Sequence, residues 1–155
     1  MSIDVFSLHC DGLDGAKLAG FKGVEGLNRP FEMDVFFTVP VGTDVKKAIG
    51  ARATLTADRD DGRGPMCWHG VFAKLRLLHE TAERALYRGA LVPKLWLLRQ
   101  YVRNYVHTKK KVDVLLGDTL KDAGLTGGDF EFHINGGAYP QEEFVCQYRE
   151  SHLDF

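Results

Sequence analysis

Hydrophobic and polar positions alternate with a period of two along much of the chain. In 31–38, FEMDVFFT, the side chains of Phe31, Met33, Val35 and Phe37 fall on one face. Glu32, Asp34 and Thr38 fall on the other, with Phe36 the exception. That pattern predicts a half-buried antiparallel strand. Residues 3–9, 51–57 and 143–149 repeat it more briefly. Residues 18–27 also read as extended, with Gly20, Gly23 and Gly26 permitting a bend or bulge. The clearest hairpin joins 66–79 to 82–92 through the polar turn HETAER, and the first arm is expected to place Val71, Ala73, Leu75 and Leu77 on one face. The preceding ADRDDGRGP is dense in turn residues.

Helical spacing is rarer. In 111–123 the residues Val112, Leu115, Leu116 and Leu120 recur at helix spacing, Gly124 offers a stop, and Gly117 weakens the interior. A short helix is expected to open 94–104 after Pro93, and another over 44–49 with Thr43 or Asp44 as cap. Ser151 and Asp154 have the spacing of a helix N-terminus. With only four residues after Ser151, the segment 151–155 is expected to fray or to be held by a neighbouring molecule. The fold class is therefore mainly β with a few short helices (α+β), an antiparallel barrel or sandwich.

Composition narrows the function. A net charge of −1 gives no bulk electrostatic case for nucleic acid or an anionic membrane. No apolar run is long enough to span a bilayer, and the opening residues lack the basic-then-apolar pattern of a signal peptide. The odd, widely spaced set Cys10, Cys67 and Cys146 argues against a disulfide framework and fits a reducing compartment.

Chemistry is sparse. There is no nucleophile elbow, P-loop, dinucleotide fingerprint or zincin motif. Cys67 and His69 share a strand face, but two ligands make too small a metal site, so packed or hydrogen-bonded strand residues are the simpler reading. Asp58, Asp60, Asp61 and Gly62 only faintly resemble a calcium loop and read as a solvated turn. Arg99, Arg103, Lys109, Lys110 and Lys111, interleaved with Tyr101 and Tyr105, have the composition of a single-strand binder, but a solvated face beside a helix is the plainer account. No catalytic, metal or cofactor-binding residue is assigned, and no enzyme activity or cofactor is expected.

Six phrases, in order, resemble one family. They are LAGFKGVEGLNRPFEMDVFF (18–37), IGARATLT (49–56), WHGVFAKLRLL (68–78), YRGALVPKLWLLRQ (87–100), the helix ending in AGL, and YPQEEFVCQYRESHLDF (139–155). Together they resemble the N-terminal head of VgrG spike proteins of the type VI secretion system, itself similar to the baseplate hub of contractile phage tails. The matching positions are Arg29, Pro30, Phe31, His69, Gly70, Trp96, Tyr139, Pro140, Gln147, Tyr148, Arg149, Glu150 and Ser151. Pro30 suits the edge opening of a strand, Gly70 a sharp bend or close backbone approach, and Trp96 a core or subunit anchor. Arg149 and Glu150, as neighbours in an extended segment, are expected to face opposite ways and pair with other residues.

The resemblance implies an antiparallel β-barrel of the baseplate-hub type, the first barrel of the head. Residues 1–155 would be a single domain: 1–92 the barrel core, 93–138 a helix-containing excursion, and 139–155 a returning strand and the start of a connecting helix. It implies a non-enzymatic role joining a trimeric spike to a hexameric tube for effector delivery. The implied partners are the chain itself, as a homotrimer, and tube and baseplate proteins, with no nucleic acid and no membrane anchor. Assembly would occur in the bacterial cytoplasm, and the full-length family is exported by the machine. In the family a second barrel follows; without it a weak or absent trimer is expected in dilute solution. The alternatives are a hub or late control protein of a phage or phage-derived tail, and a small β-barrel that binds a ligand or nucleic acid.

Overall fold

The computed structural model describes residues 5–59, 62–133 and 139–155. The start of the predicted strand 3–9 and the acidic pair at 60–61 lie outside the described residues. The chain forms two compact units, Met1–Pro93 and Lys94–Phe155.

In the first unit the alternating segments become strands β1 (Phe6–Cys10), β2 (Lys17–Gly26), β3 (Arg29–Pro40), β4 (Arg52–Ala57), β5 (Met66–Glu80) and β6 (Arg84–Val92). They form one antiparallel sheet of order β1-β4-β5-β6-β3-β2. β1 and β2 are its two ends, yet Phe6 of β1 meets Phe21 of β2 edge-on at 5.3 Å. Phe21 also lies 5.8 Å from the Trp68 ring of β5, whose Nε1 donates to Glu25 of β2 at 2.7 Å. The sheet is thus curled into a half-barrel that brings its edges together. Side chains of one face then line a common interior.

β3 behaves as its alternation requires. Met33, Val35, Phe37 and Val39 are buried between less buried neighbours. Phe37 packs against Phe72 at 5.5 Å and Tyr87 at 6.0 Å, with Leu55 and Leu91 in the same cluster. Full burial of such side chains contributes roughly 1.5–3 kcal/mol each. The glycine-rich β2 bulges twice, between Leu18 and Gly20 and between Val24 and Gly26.

The expected face of β5 is wrong. Phe72 pairs with Leu91 and Lys74 with Ala90, leaving Ala73 as an extra residue. This bulge exchanges the faces, so Trp68 and Phe72 before it and Leu75 after it pack against one core while Val71 falls on the other side; Leu77, on the side of Leu75, is nonetheless exposed. Gly70 meets a close backbone approach: a Cβ there would stand 2.0 Å from the Val92 carbonyl oxygen. The 3-10 turn Val45–Ala48 lacks a side-chain cap from Asp44, and the Thr43 hydroxyl donates to Pro40 O at 2.7 Å instead.

The second unit contains a 3-10 helix (Lys94–Gln100), β7 (Val102–Lys111), α1 (Val112–Asp122) and β8 (Gln141–Ser151). β7 pairs antiparallel with β8 in a two-stranded ribbon. α1 ends as Gly124 requires. Gly124 takes φ +82°, its N–H reaches Lys121 O at 2.9 Å, and Leu125 N–H reaches Leu120 O at 3.1 Å. That is a Schellman cap. The helix buries Leu115 and Thr119 rather than the expected Val112 and Leu116, which are over a third exposed. Leu98, Ala123 and Leu125 form a small core with Tyr101, Leu120, Phe130 and Leu153 against it.

The segment 151–155 is not frayed. It forms a turn in which Asp154 and Phe155 N–H groups reach Ser151 O at 3.1 and 3.0 Å. The Ser151 hydroxyl bonds the Asp154 carboxylate at 2.6 Å, and His152 N–H reaches Tyr101 O at 2.9 Å. Packing supplies what so short a helix lacks on its own: Ser151 and His152 are buried within the unit.

Candidate functional site

The ribbon of β7 and β8 has two unlike faces. Its inner face carries the buried His107 and Gln147. Gln147 Nε2 donates to Glu150 O at 3.1 Å, while its Oε1 faces His152 Nδ1 at 3.2 Å. The other imidazole nitrogen of His152 lies 3.0 Å from Asp122, and Tyr101 stacks on the ring at 5.7 Å. The outer face pairs Asn104 with Tyr148, Val106 with Cys146 and Thr108 with Phe144. Phe144, Tyr148 and Val106 are 68%, 63% and 55% exposed. This is a contiguous apolar stripe on regular backbone, the usual mark of a surface that meets protein.

A β-bulge sits at one end of the stripe. Tyr148 pairs with Asn104 and Glu150 with Arg103, so Arg149 is the extra residue, at φ +52°. Asn104 Oδ1 accepts the Arg149 N–H at 2.8 Å. The Arg149 guanidinium lies 5.3 Å from the Tyr148 ring centroid, and the Glu150 carboxylate accepts from Tyr148 N–H at 3.3 Å. Arg149 and Glu150 therefore engage Tyr148 rather than each other. The expected extended backbone at that point is replaced by a left-handed residue.

The family-motif positions fall into separate groups. Gln147, Tyr148, Arg149, Glu150 and Ser151 come together at the bulge and turn. Tyr139 and Pro140 are exposed just before β8, and Trp96 is half-buried in the 3-10 helix. In the other unit, Arg29 pairs with Gly26 at the start of β3. Pro30 follows it, and Phe31 packs at the edge of the core. His69 lies on the outer sheet face with Nδ1 3.0 Å from Thr54 Oγ1, and Gly70 follows beneath Val92.

Two of the five basic residues of the run are held by acids. Arg103 lies 3.6 Å from Asp122 and Lys110 2.5 Å from Asp118. Tyr101 is occupied by His152 and Tyr105 by His107. Arg99 lies in the 3-10 helix and the other four on β7, which leads directly into α1. Among the described residues no three His, Cys, Asp or Glu side chains group to hold a metal ion. Cys67 sits 3.8 Å from Thr56 Oγ1, and Cys10 is buried with its thiol pushed up to about 11 by burial and by Asp11.

Of the outer-face residues, Phe144 lies in the predicted strand 143–149 and in the phrase 139–155, whereas Asn104 and Val106 belong to no motif. Their one sequence cue is the alternation Val102, Asn104, Val106, Thr108, which the basic residues obscure.

A family model described as the phage tail baseplate hub (GPD) matches residues 24–155, most of both units. The chain belongs to the phage tail baseplate hub family. It is 28% identical over 97% of its length to the type VI secretion system spike protein VgrG4b of Pseudomonas aeruginosa, and 28% identical over 93% to VgrG1b of the same organism. It spans only 18% and 19% of those two relatives. A solved structure, that of the E. coli c3393 protein, superposes with a TM-score of 0.81 at 25% identity, over 95% of this chain and 40% of the other. That protein is described as a component of the type VI secretion system with structural similarity to the T4 bacteriophage tail proteins gp27 and gp5. The hub-type fold and the likeness to VgrG spike proteins agree with the sequence resemblance.

Proposed function

We propose that the chain is a hub segment of a type VI secretion spike, which joins the trimeric spike to the hexameric tube for effector delivery. The observation that carries this reading is the likeness to VgrG proteins through both compact units. In this reading 1–92 is the barrel core of the head, and the matched residues from Arg29 to Ser151 hold its shape. The role is mechanical attachment, and no catalytic step is asked of the chain.

The partners in this reading are further copies of the chain and the tube and baseplate proteins of the machine. Assembly takes place in the bacterial cytoplasm, and export follows through the machine itself. No helix among the described residues is long and apolar enough to cross a membrane. The purified chain is expected to be a weak trimer, or none, in dilute solution, and to co-sediment with assembled tubes of the same bacterium. No association with tubes at micromolar concentration overturns the reading.

The family's own character, a phage tail baseplate hub, favours one alternative, a hub protein of a contractile phage or phage-derived tail. The neighbouring genes separate the two: secretion-sheath genes favour the first, phage tail genes the second.

A further inference from the structure

The inner face of the ribbon holds a cluster around a buried histidine. His107 is only 9% exposed, and its Nδ1 has no hydrogen-bond partner among the described residues. Phe155, at the end of the turn that follows β8, lies nearly parallel to the imidazole at 5.7 Å. Tyr105 closes the ring from the side at 4.6 Å. The charged and titratable groups that act on it come from each surrounding element: Lys110 of β7, Asp118 of α1 and His152 of the turn. Lys110 and Asp118 are paired to each other. β8 places the uncharged Val145 opposite His107, with Gln147 two residues on.

We propose that the turn 151–155 is an acid-released latch, closed only while His107 is neutral. A proton added at Nδ1 would create a buried N–H with no acceptor, beside a lysine ammonium and a second imidazole. Opening the turn removes the Phe155 ring and lets water reach that proton.

The electrostatics point the same way. Burial holds the His107 imidazole below its ordinary value of 6.5, Lys110 adds to that, Asp118 opposes it, and His152 adds again. The open turn exposes the ring, so the open state takes up the proton more readily. The closed state is therefore favoured above the ordinary value and loses ground as pH falls through and below it.

The experiment is amide exchange on the full 155-residue chain, with protection factors corrected for intrinsic rates. From about pH 7.5 to about pH 5, protection of the Asp154 and Phe155 amides is expected to fall by more than about threefold, while the β7–β8 ladder keeps its own. His107→Phe retains a ring against Phe155 and removes the titration, so the fall should vanish. Lys110→Gln removes the nearest cation and leaves Asp118 unpaired, so the fall should shrink. Protection independent of pH in the unsubstituted chain overturns the proposal. An undiminished fall in either variant also overturns it, because another group would then be responsible.

Discussion

Asn104 and Arg149 meet across the β7–β8 ribbon through one bond, from the Arg149 N–H to Asn104 Oδ1 at 2.8 Å. Arg149 is held at φ +52°, a conformation that non-glycine residues adopt rarely. The asparagine supplies the acceptor that the interrupted ladder cannot. It thereby fixes the bulge that sets Tyr148 on the outer face. Asn104→Ala is expected to destabilise the chain by about 1 kcal/mol in urea unfolding, the ordinary worth of one hydrogen bond. Asn104→Asp keeps an acceptor oxygen and should lose less. Equal losses would show that the bulge is held by something other than this bond.

Gly70 and Gly20 give opposite expectations for the same substitution. A Cβ at Gly70 would stand 2.0 Å from Val92 O and 2.8 Å from Val92 C, so backbone must move. Gly70→Ala should cost about 3 kcal/mol or more, or prevent folding. A Cβ at Gly20 meets nothing within 4 Å, and its φ is not in the left-handed region. Gly20→Ala should lie within about 0.5 kcal/mol of the unsubstituted chain. Thermal unfolding of the two variants decides it.

The outer ribbon face yields a prediction that separates stability from assembly. Phe144 and Tyr148 are mostly exposed, so Phe144→Ser with Tyr148→Ser removes little buried area. The unfolding midpoint should change by no more than about 1 kcal/mol equivalent. If this face packs against a neighbour in the spike, co-sedimentation with tubes or self-association should drop at least about tenfold, as expected for loss of aromatic anchors. Unchanged association would remove this face from the interface.

What the sequence makes legible follows from how local each cause is. β3 can be read because every second residue from Met33 to Val39 is buried, and only Phe36 departs from the hydrophobic alternation. The end of α1 can be read because Gly124 alone allows the left-handed step. The inward face of β5 cannot, because the extra residue at Ala73 is defined by its pairing with β6, not by its own neighbours. β7 is hidden for a related reason. Its partner β8 comes after the whole of α1, and its own inner face carries the polar His107, covered by the distant Phe155. The turn 151–155 closes through Ser151 and Asp154, which the sequence flags, but it is held against the unit by Tyr101, Asp122 and His107, none of them near in sequence. The family phrases do place Gln147 to Ser151 together. They carry no hint that Asn104 completes the group.

Asp129 gives the pH prediction with the clearest sign. Its carboxylate accepts from Lys94 Nζ at 2.7 Å, Thr126 N–H at 2.7 Å and the Thr126 hydroxyl at 2.8 Å. Lys94 first, and then the two Thr126 bonds, lower its pKa from 3.8 to about 2. The folded state therefore holds the charged form more strongly than the unfolded state does. The stabilisation is fully present above 3.8 and is lost as pH falls from there through about 2. Asp129→Asn removes the titrating group, so its urea midpoint should lie below that of the unsubstituted chain at neutral pH. The gap should close as the solution is taken down through that window. Asp34 is also lowered, chiefly by its hydrogen bond to Arg88. That contribution is common to both proteins and cancels in the difference. A gap that stays constant into strong acid would mean that Asp129 acts through shape alone.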